Sequence, residues 1–375
     1  MLGARKIVVL GGDVFRDEYS LAFDGTDDHV NLGNNQYFYP NDEDFAFTCW
    51  FKTTTTENDY FYSGGDGSDQ GYIEFRIRGD DGGYIRSFLK DMDNSQELAF
   101  NTAVTGLNDG VWHHFAYTLD WSAKKGYAYI DGVYTSSATN TNIVTLANDA
   151  DVIHIGKRST TTSGTYEFTG NISDISIYNR FLSASEVSQI YNGGESYNHM
   201  DSSFKSNLQT WWRMGDGALD NFGDNGLIGD EVDPTMGGEI LVNETFTGNA
   251  SPWSLGSPWA YDSNKISIDG SQSGNVSLTQ TPGYTTGVCY RVEFELSSYT
   301  AGEMNPHIRG GNSGNITGNG IHISYILAGS DSNTINLYCD STFAATLDNA
   351  SAKAIGGSPG IMVNMSADDI TGDAP

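Results

Sequence analysis

Two adjacent histidines, His113 and His114, and two spaced glutamates, Glu293 and Glu295, are the first places to look for covalent chemistry. Successive residues of a strand point to opposite faces, so His113 and His114 cannot line one site, and a structural role is expected for both. His154, His307 and His322 are scattered and have no serine or aspartate partner pattern. Glu293 and Glu295 would share one strand face. Glycoside hydrolysis needs two carboxylates about 5–5.5 Å apart for retention. No longer acidic run supports this pair, and Glu74 stands alone in residues 72–75, so catalytic residues are not expected. Cys49 lies in an apolar run; Cys289 and Cys339 could pair, but buried free thiols are the expectation. Asp24, Asp27 and Asp28 lie close together and offer oxygens of the kind calcium gathers six to eight at a time. The alternative is a set of Asx turns. Sugar recognition uses aromatic faces with a few polar side chains. Tyr60, Tyr62, Tyr72 and Tyr84 fall in or beside glycine-rich loops, and Tyr299, His307 and Arg309 border a Gly/Asn loop at 310–320. Of these, Tyr62 and Tyr72 in the first half are the candidate glycan-binding residues. In the second half they are Tyr299 as a stacking platform and Arg309 as a hydrogen-bond fork.

Short strands must position these groups. The 375 residues include 45 glycines, 21 tyrosines and 18 phenylalanines with few charges, a composition of many strands and tight turns. Residues 111–119 and 127–130 read as strands, and Asp131-Gly132 suits a two-residue hairpin turn. Ser183 and Glu186 have capping-box spacing, Leu182 and Val187 can form a hydrophobic staple, and Gly193 offers a stop. One short helix over 183–192 follows. The net charge of −29 repels nucleic-acid phosphates and excludes that partner class. No stretch is long enough for a membrane span. The apolar run 7–10 is too short for a signal peptide, and none is recognisable.

The segment DGVWHHFAYTLDWSAKKGYAYIDG resembles the signature of the laminin-G-like, concanavalin A-like lectin/glucanase jelly roll. LAFDGTDDHVNLG, FAFTCWFK and the segment 152–194 resemble that family's other ordered motifs, so the likeness covers about 19–194. The family's glucanases carry an E-x-D-x-x-E strand that is missing here. The resemblance places Trp112 inside the sandwich. It also implies calcium near the first strand, with Asp174 in the closing G-x-I-x-D position as a fourth ligand. WWRMGDG, at 211–217, is similar to an element that follows such domains in phage and marine-virus surface proteins. Its two tryptophans are expected to plug the sandwich's open end. Residues 240–355 resemble a carbohydrate-binding-module jelly roll, with Tyr290, Val292 and Phe294 in a strand pattern and Trp253 and Trp259 as packing residues.

The expected fold is all-β: two antiparallel β-sandwich (jelly-roll) domains with one short helix in the first. The expected division is an arm at 1–18, a sandwich at 19–196, a Trp-containing connector at 197–239, a second sandwich at 240–357 and a polar tail at 358–375 that packs on a neighbour. The expected function is non-enzymatic, weak, multivalent glycan adhesion on a phage virion surface, as a capsid decoration or a tail or fibre component. The expected partners are glycans, other virion proteins and further copies of the chain in a homo-oligomer, with Ca2+ as the expected cofactor. A purely architectural virion protein and an accessory carbohydrate-binding module of a polysaccharide-degrading system are the alternatives.

Overall fold

The computed structural model describes residues 15–33, 38–65, 72–92, 95–146, 152–158, 166–221 and 226–375. The apolar run 7–10 lies outside the described residues. The fold is all-β, with four sheets paired antiparallel throughout the described strands. One sheet runs Val133–Thr139, Lys125–Ile130, His113–Asp120, Phe45–Lys52, Thr169–Tyr178, Ser20–Asp24 and Ile370–Thr371, with Leu208–Trp212 also on Thr169–Tyr178. The facing sheet runs Leu227–Ile228, Gly360–Val363, His29–Gly33, Ile153–Ile155, Asn58–Gly64, Ile73–Arg78, Tyr84–Lys90 and Glu97–Asn101. Phenylalanines from both inner faces meet between them. Phe75 lies 4.8 Å from Phe47 and 5.4 Å from Phe115, ring centre to ring centre. Alternation decides this: in Ile73–Arg78 every second residue, Ile73, Phe75 and Ile77, faces the core and is fully buried.

Local sequence fixes the turns and the helix. Asp131 and Gly132 take φ of +51° and +74°, the left-handed pair that the hairpin turn needs. A Cβ on Gly132 would come within 2.9 Å of Tyr191, so glycine also lets the helix sit on this turn. The helix spans Ala184–Tyr191 behind the Ser183–Glu186 capping box and buries Val187 and Ile190 against the first sheet's outer face. It ends one residue before the expected stop, because Asn192 adopts the left-handed conformation at φ +51° ahead of Gly193. Tyr191 stacks on buried Trp50, which packs against buried His114.

The second sandwich pairs a six-stranded sheet with a five-stranded one. The larger runs Ala260–Asp262, Lys265–Asp269, Ala344–Ile355, Cys289–Ala301 and Gly320–Leu327, with Met236–Glu239 also on Ala344–Ile355. The smaller runs Ser254–Leu255, Val276–Gln280, Ile335–Cys339, Met304–Ile308 and Gly311–Asn312. Tyr290, Val292, Phe294 and Leu296 alternate into its core with Trp253 and Trp259, as the pattern predicts. All three cysteines are free and buried. Glu293 pairs with Arg291, and Glu295 accepts a bond from Asn349.

The domain boundaries differ from the sequence reading. The segment from 358 onward is not a tail reaching for a neighbour. Gly360–Val363 pairs between His29–Gly33 and Leu227–Ile228, and Ile370–Thr371 extends the first sheet beside Ser20–Asp24. The connector is likewise part of the first sandwich: Leu208–Trp212 is a strand, and its two tryptophans are buried on opposite faces rather than side by side at an open end. Arg213 bonds Asp17 and the Asp216 carbonyl, so the visible end of the arm is tied down too. The second sandwich is therefore an insertion, entered and left through adjacent strands, since Gly356 N donates to Thr235 O at 2.8 Å.

Trp112 is half-buried rather than buried in the core. Its indole N–H donates to Asp373 at 3.0 Å, and Asp373 also pairs with Lys52 at 2.5 Å. The Lys52 bond, followed by the Trp112 bond, holds the Asp373 carboxyl below its ordinary value. Its contribution to stability is present above that value and is lost as acid protonates it. Asp373→Ala is expected to cost about 1 kcal/mol at pH 7, allowing for partial exposure. In urea unfolding followed by tryptophan emission, the gap from the parent should shrink towards pH 3. A gap that does not change with pH would remove the carboxylate from this account.

Candidate functional site

The outer face of the sheet containing Ile73–Arg78 gathers side chains capable of recognition. Alternation turns Glu74, Arg76 and Arg78 outward from that strand and Tyr84, Arg86, Phe88 and Lys90 from the next. Register then builds rows across the sheet. Tyr60, Arg76, Arg86 and Asn101 stand in one row. Asn31, His154, Ser63, Glu74, Phe88 and Ala99 stand in the next. Arg158 enters from the loop after Ile153–Ile155 and packs over Tyr60 and Tyr166, 5.6 and 5.5 Å from their ring centres.

Electrostatics at this face are unbalanced. Glu74 is buried and bonds Arg158 Nε at 3.2 Å, with Arg76 3.8 Å away. Burial pushes its carboxyl above the ordinary value, against the opposing pull of the Arg76, Arg158 and Arg86 charges. Arg76 also donates to the Tyr60 hydroxyl and lies over that ring. Arg86 packs on Phe88 at 5.7 Å and makes no ion pair among the described residues. Arg76 and Arg86 are direct cross-strand partners. Like charges directly opposite each other in a sheet are destabilising. The arrangement can clamp and stack a polar ligand. Its row neighbours give Glu74 no second carboxylate for acid–base work.

The sequence candidates are placed differently. Tyr62 is fully buried in the core and donates its hydroxyl to Phe38 O at 2.8 Å, so it has no face to offer a sugar. The bulge between Tyr60 and Tyr62 turns one tyrosine outward and the other inward. Tyr72 is also buried, edge-on to Phe88 and beneath Lys90. Tyr299 is half-buried, packs on Phe343 and donates to Gly302 O at 2.9 Å. Arg309 spends its guanidinium on the Gly329 and Ser330 carbonyls, bracing its own loop. The structure does not bring Tyr299 and Arg309 into one cluster with a common partner. Arg76, Arg86, Arg158 and Phe88 went unread, although alternation in IEFRIR and YIRSFLK carries the signal. A second face also went unread. On the outside of the five-stranded sheet, exposed Tyr338 stands between Ser277 and Asn305, and His307 stands between Asn336 and Asn312.

Asp24, Asp27 and Asp28 do converge, with ligand atoms all within 4.8 Å of one another. Two of their oxygens are already engaged: Asp24 Oδ1 accepts from Thr26 N at 2.7 Å and Asp28 Oδ2 from Asp24 N at 2.9 Å. The Asx-turn reading is thus present in the same residues. Burial, reinforced by Asp24 and other neighbouring carboxylates, pushes Asp28 up to about 6. Three like charges with spare oxygens fit a hard divalent cation. Asp174 does not join them. Asp24 pairs with Thr169, so Asp174 lies five residues further along that strand, roughly 17 Å away. It sits in a bulge between Ser173 and Ser176 at φ +49°. There its buried carboxylate accepts from Trp211 Nε1 and lies 3.2 Å from His199 Nε2. His199 in turn contacts the Tyr178 hydroxyl at 2.6 Å. His113 pairs with Asp131 at 2.9 Å, while burial holds His114 down to about 4. The two histidines are separate and structural.

Residues 24–188 match the family model described as the concanavalin A-like lectin/glucanases superfamily. No curated protein matches the chain. Among solved structures, the CBM40 module of the Ruminococcus gnavus IT-sialidase is similar at 16% identity and TM-score 0.36, covering 40% of this chain and 84% of that one. A pentraxin from Limulus polyphemus is similar at 14% and 0.37, covering 48% and 83%. Domains LG4-5 of the mouse laminin alpha1 chain are similar at 12% and 0.34, covering 97% and 85%. The first half of the chain thus has the concanavalin A-like lectin/glucanase fold, built on residues 24–188 and completed in this molecule by strands from far later in the sequence.

Proposed function

We propose that this protein is a non-enzymatic glycan-binding protein of a phage particle surface, a capsid decoration or a tail or fibre component. One observation carries the glycan reading: the outward rows around Arg76, Arg86 and Phe88 place hydrogen-bond forks beside aromatic rings on a lectin-type sandwich. Among the described residues, the row neighbours of Glu74 are Ser63 and Phe88 and not a second carboxylate, which supports a binding role over hydrolysis. The phage setting rests on the sequence resemblance of WWRMGDG. Use of the closing segment within its own fold argues against its being a docking arm for a neighbour. Weak single sites would gain strength from copy number in a homo-oligomer or on a particle.

A glycan array followed by calorimetry tests this. Binding per site is expected to be roughly micromolar to millimolar, about −4 to −8 kcal/mol. Phe88→Ala should weaken it by about tenfold, and no reducing sugar should be released from a polysaccharide. Release of reducing sugar would refute the non-enzymatic reading. Absence of binding to any glycan would leave an architectural protein.

We also propose calcium as the partner of Asp24, Asp27 and Asp28, because a cation would offset the burial, and the lesser repulsion, that raise Asp28. A carboxyl raised in the folded state favours folding below its unfolded value and loses that advantage as pH rises through about 6. In chelator, Asp28→Asn should therefore melt higher than the parent at pH 7 and alongside it at pH 4. Millimolar calcium should raise the melting point of the parent and not that of the variant. Equal responses in both proteins would rule calcium out at this site.

A further inference from the structure

Within the glycan reading, on which this rests, the same face specifies the chemistry of the sugar. We infer that it takes an acidic saccharide, one carrying a carboxylate or a sulfate.

The chain has 19 basic residues against 48 acidic ones, so clustering of cations is unexpected anywhere on it. Yet Arg76, Arg86 and Arg158 gather around Glu74, which is bonded to Arg158 and approached by Arg76. Glu74 carries one negative charge against the two of the facing pair Arg76 and Arg86. Arg86 has no acidic partner within ion-pair distance among the described residues, and it stands directly opposite Arg76 in the sheet. The Nε atoms of both arginines are buried without an acceptor. Two adjacent, part-buried guanidiniums, each with its Nε lacking an acceptor, match the planar or three-oxygen geometry of an oxyanion. A neutral sugar would satisfy a donor or two and leave the excess charge standing. A carboxylate or sulfate would satisfy both donors and charge, while Phe88 and Tyr166, which pack beneath Arg86 and Arg158, offer ring faces to the sugar itself. The overall negative charge does not prevent this. At physiological salt the Debye length is about 8 Å, so a ligand at this face responds mainly to the nearest charges.

The test is calorimetry on the full chain at 0.15 M salt with three matched probes: lactose, a lactose bearing a carboxylated sugar, and a sulfated lactose. At least one acidic probe should bind about tenfold or more tighter than lactose, since a charge-assisted bond is stronger than a neutral one. Which acidic probe is preferred separates carboxylate from sulfate. Arg86→Gln should abolish that preference, weakening the acidic probe about tenfold more than it weakens lactose. Arg86→Lys should retain part of it. Arg86→Gln also removes the Arg76–Arg86 repulsion, so it should melt no lower than the parent, which separates loss of recognition from loss of fold. Equal affinity for all three probes, or an Arg86→Gln effect equal on acidic and neutral probes, overturns the acidic assignment and leaves glycan binding intact. No binding of any probe overturns both.

Discussion

The return of the closing segment onto the first sandwich is the constraint on which this architecture depends. Gly360–Val363 enters one sheet and Ile370–Thr371 the other, so a single short stretch stitches both layers together. Asp373 then ties Lys52 and the half-buried Trp112 to the same stretch. Without it, Val30 and Leu32 would lose Met362 from the core they share. The lectin-type half is therefore a fold completed from a distance, and the second sandwich hangs from it by two neighbouring strands rather than one linker.

The first sandwich carries its outward rows on the second sheet. The inner side of its second sheet is packed with phenylalanine and isoleucine, which fixes the direction of every outward residue. A one-residue slip in Ile73–Arg78 would send Arg76 into the core and Phe75 to solvent. Register is thus the device that assembles Tyr60, Arg76 and Arg86 into a row, and core packing enforces it. The like-charged pair at its centre opposes stability, and such local conflicts concentrate where a structure is built for something other than itself.

How far the sequence could be read follows from the range of each interaction. The helix was legible because capping box and staple lie within a few residues of one another. The hairpin was legible because Asp131 and Gly132 alone determine the turn. In the second sandwich the alternating core of Cys289–Ala301 was legible for the same reason. The tail was not, because two of its three partner strands lie more than three hundred positions earlier and its own polar composition hides two strands. Tyr62 was misplaced because a single bulge decides which tyrosines face outward, and bulges leave little trace in composition; Tyr72 was misplaced because Phe88 and Lys90 from the next strand cover it. Asp174 was misplaced for a related reason: a second bulge turns it toward Trp211 and away from the first strand's aspartates.

The inserted second sandwich has a consequence for the order of events during synthesis. Its described strands, from Met236 to Ile355, form a contiguous stretch, so it can close as soon as that stretch leaves the ribosome. The first sandwich emerges earlier but finishes later, because Ser20 waits for Thr371 and His29 for Val363. For the interval between, its open strand edges present unpaired backbone groups, a template for pairing with other nascent chains. Beside Thr371, the short turn Ala367–Asp369 carries its own capping box between Ser366 and Asp369, which pre-forms the bend that delivers the last strand to that waiting edge.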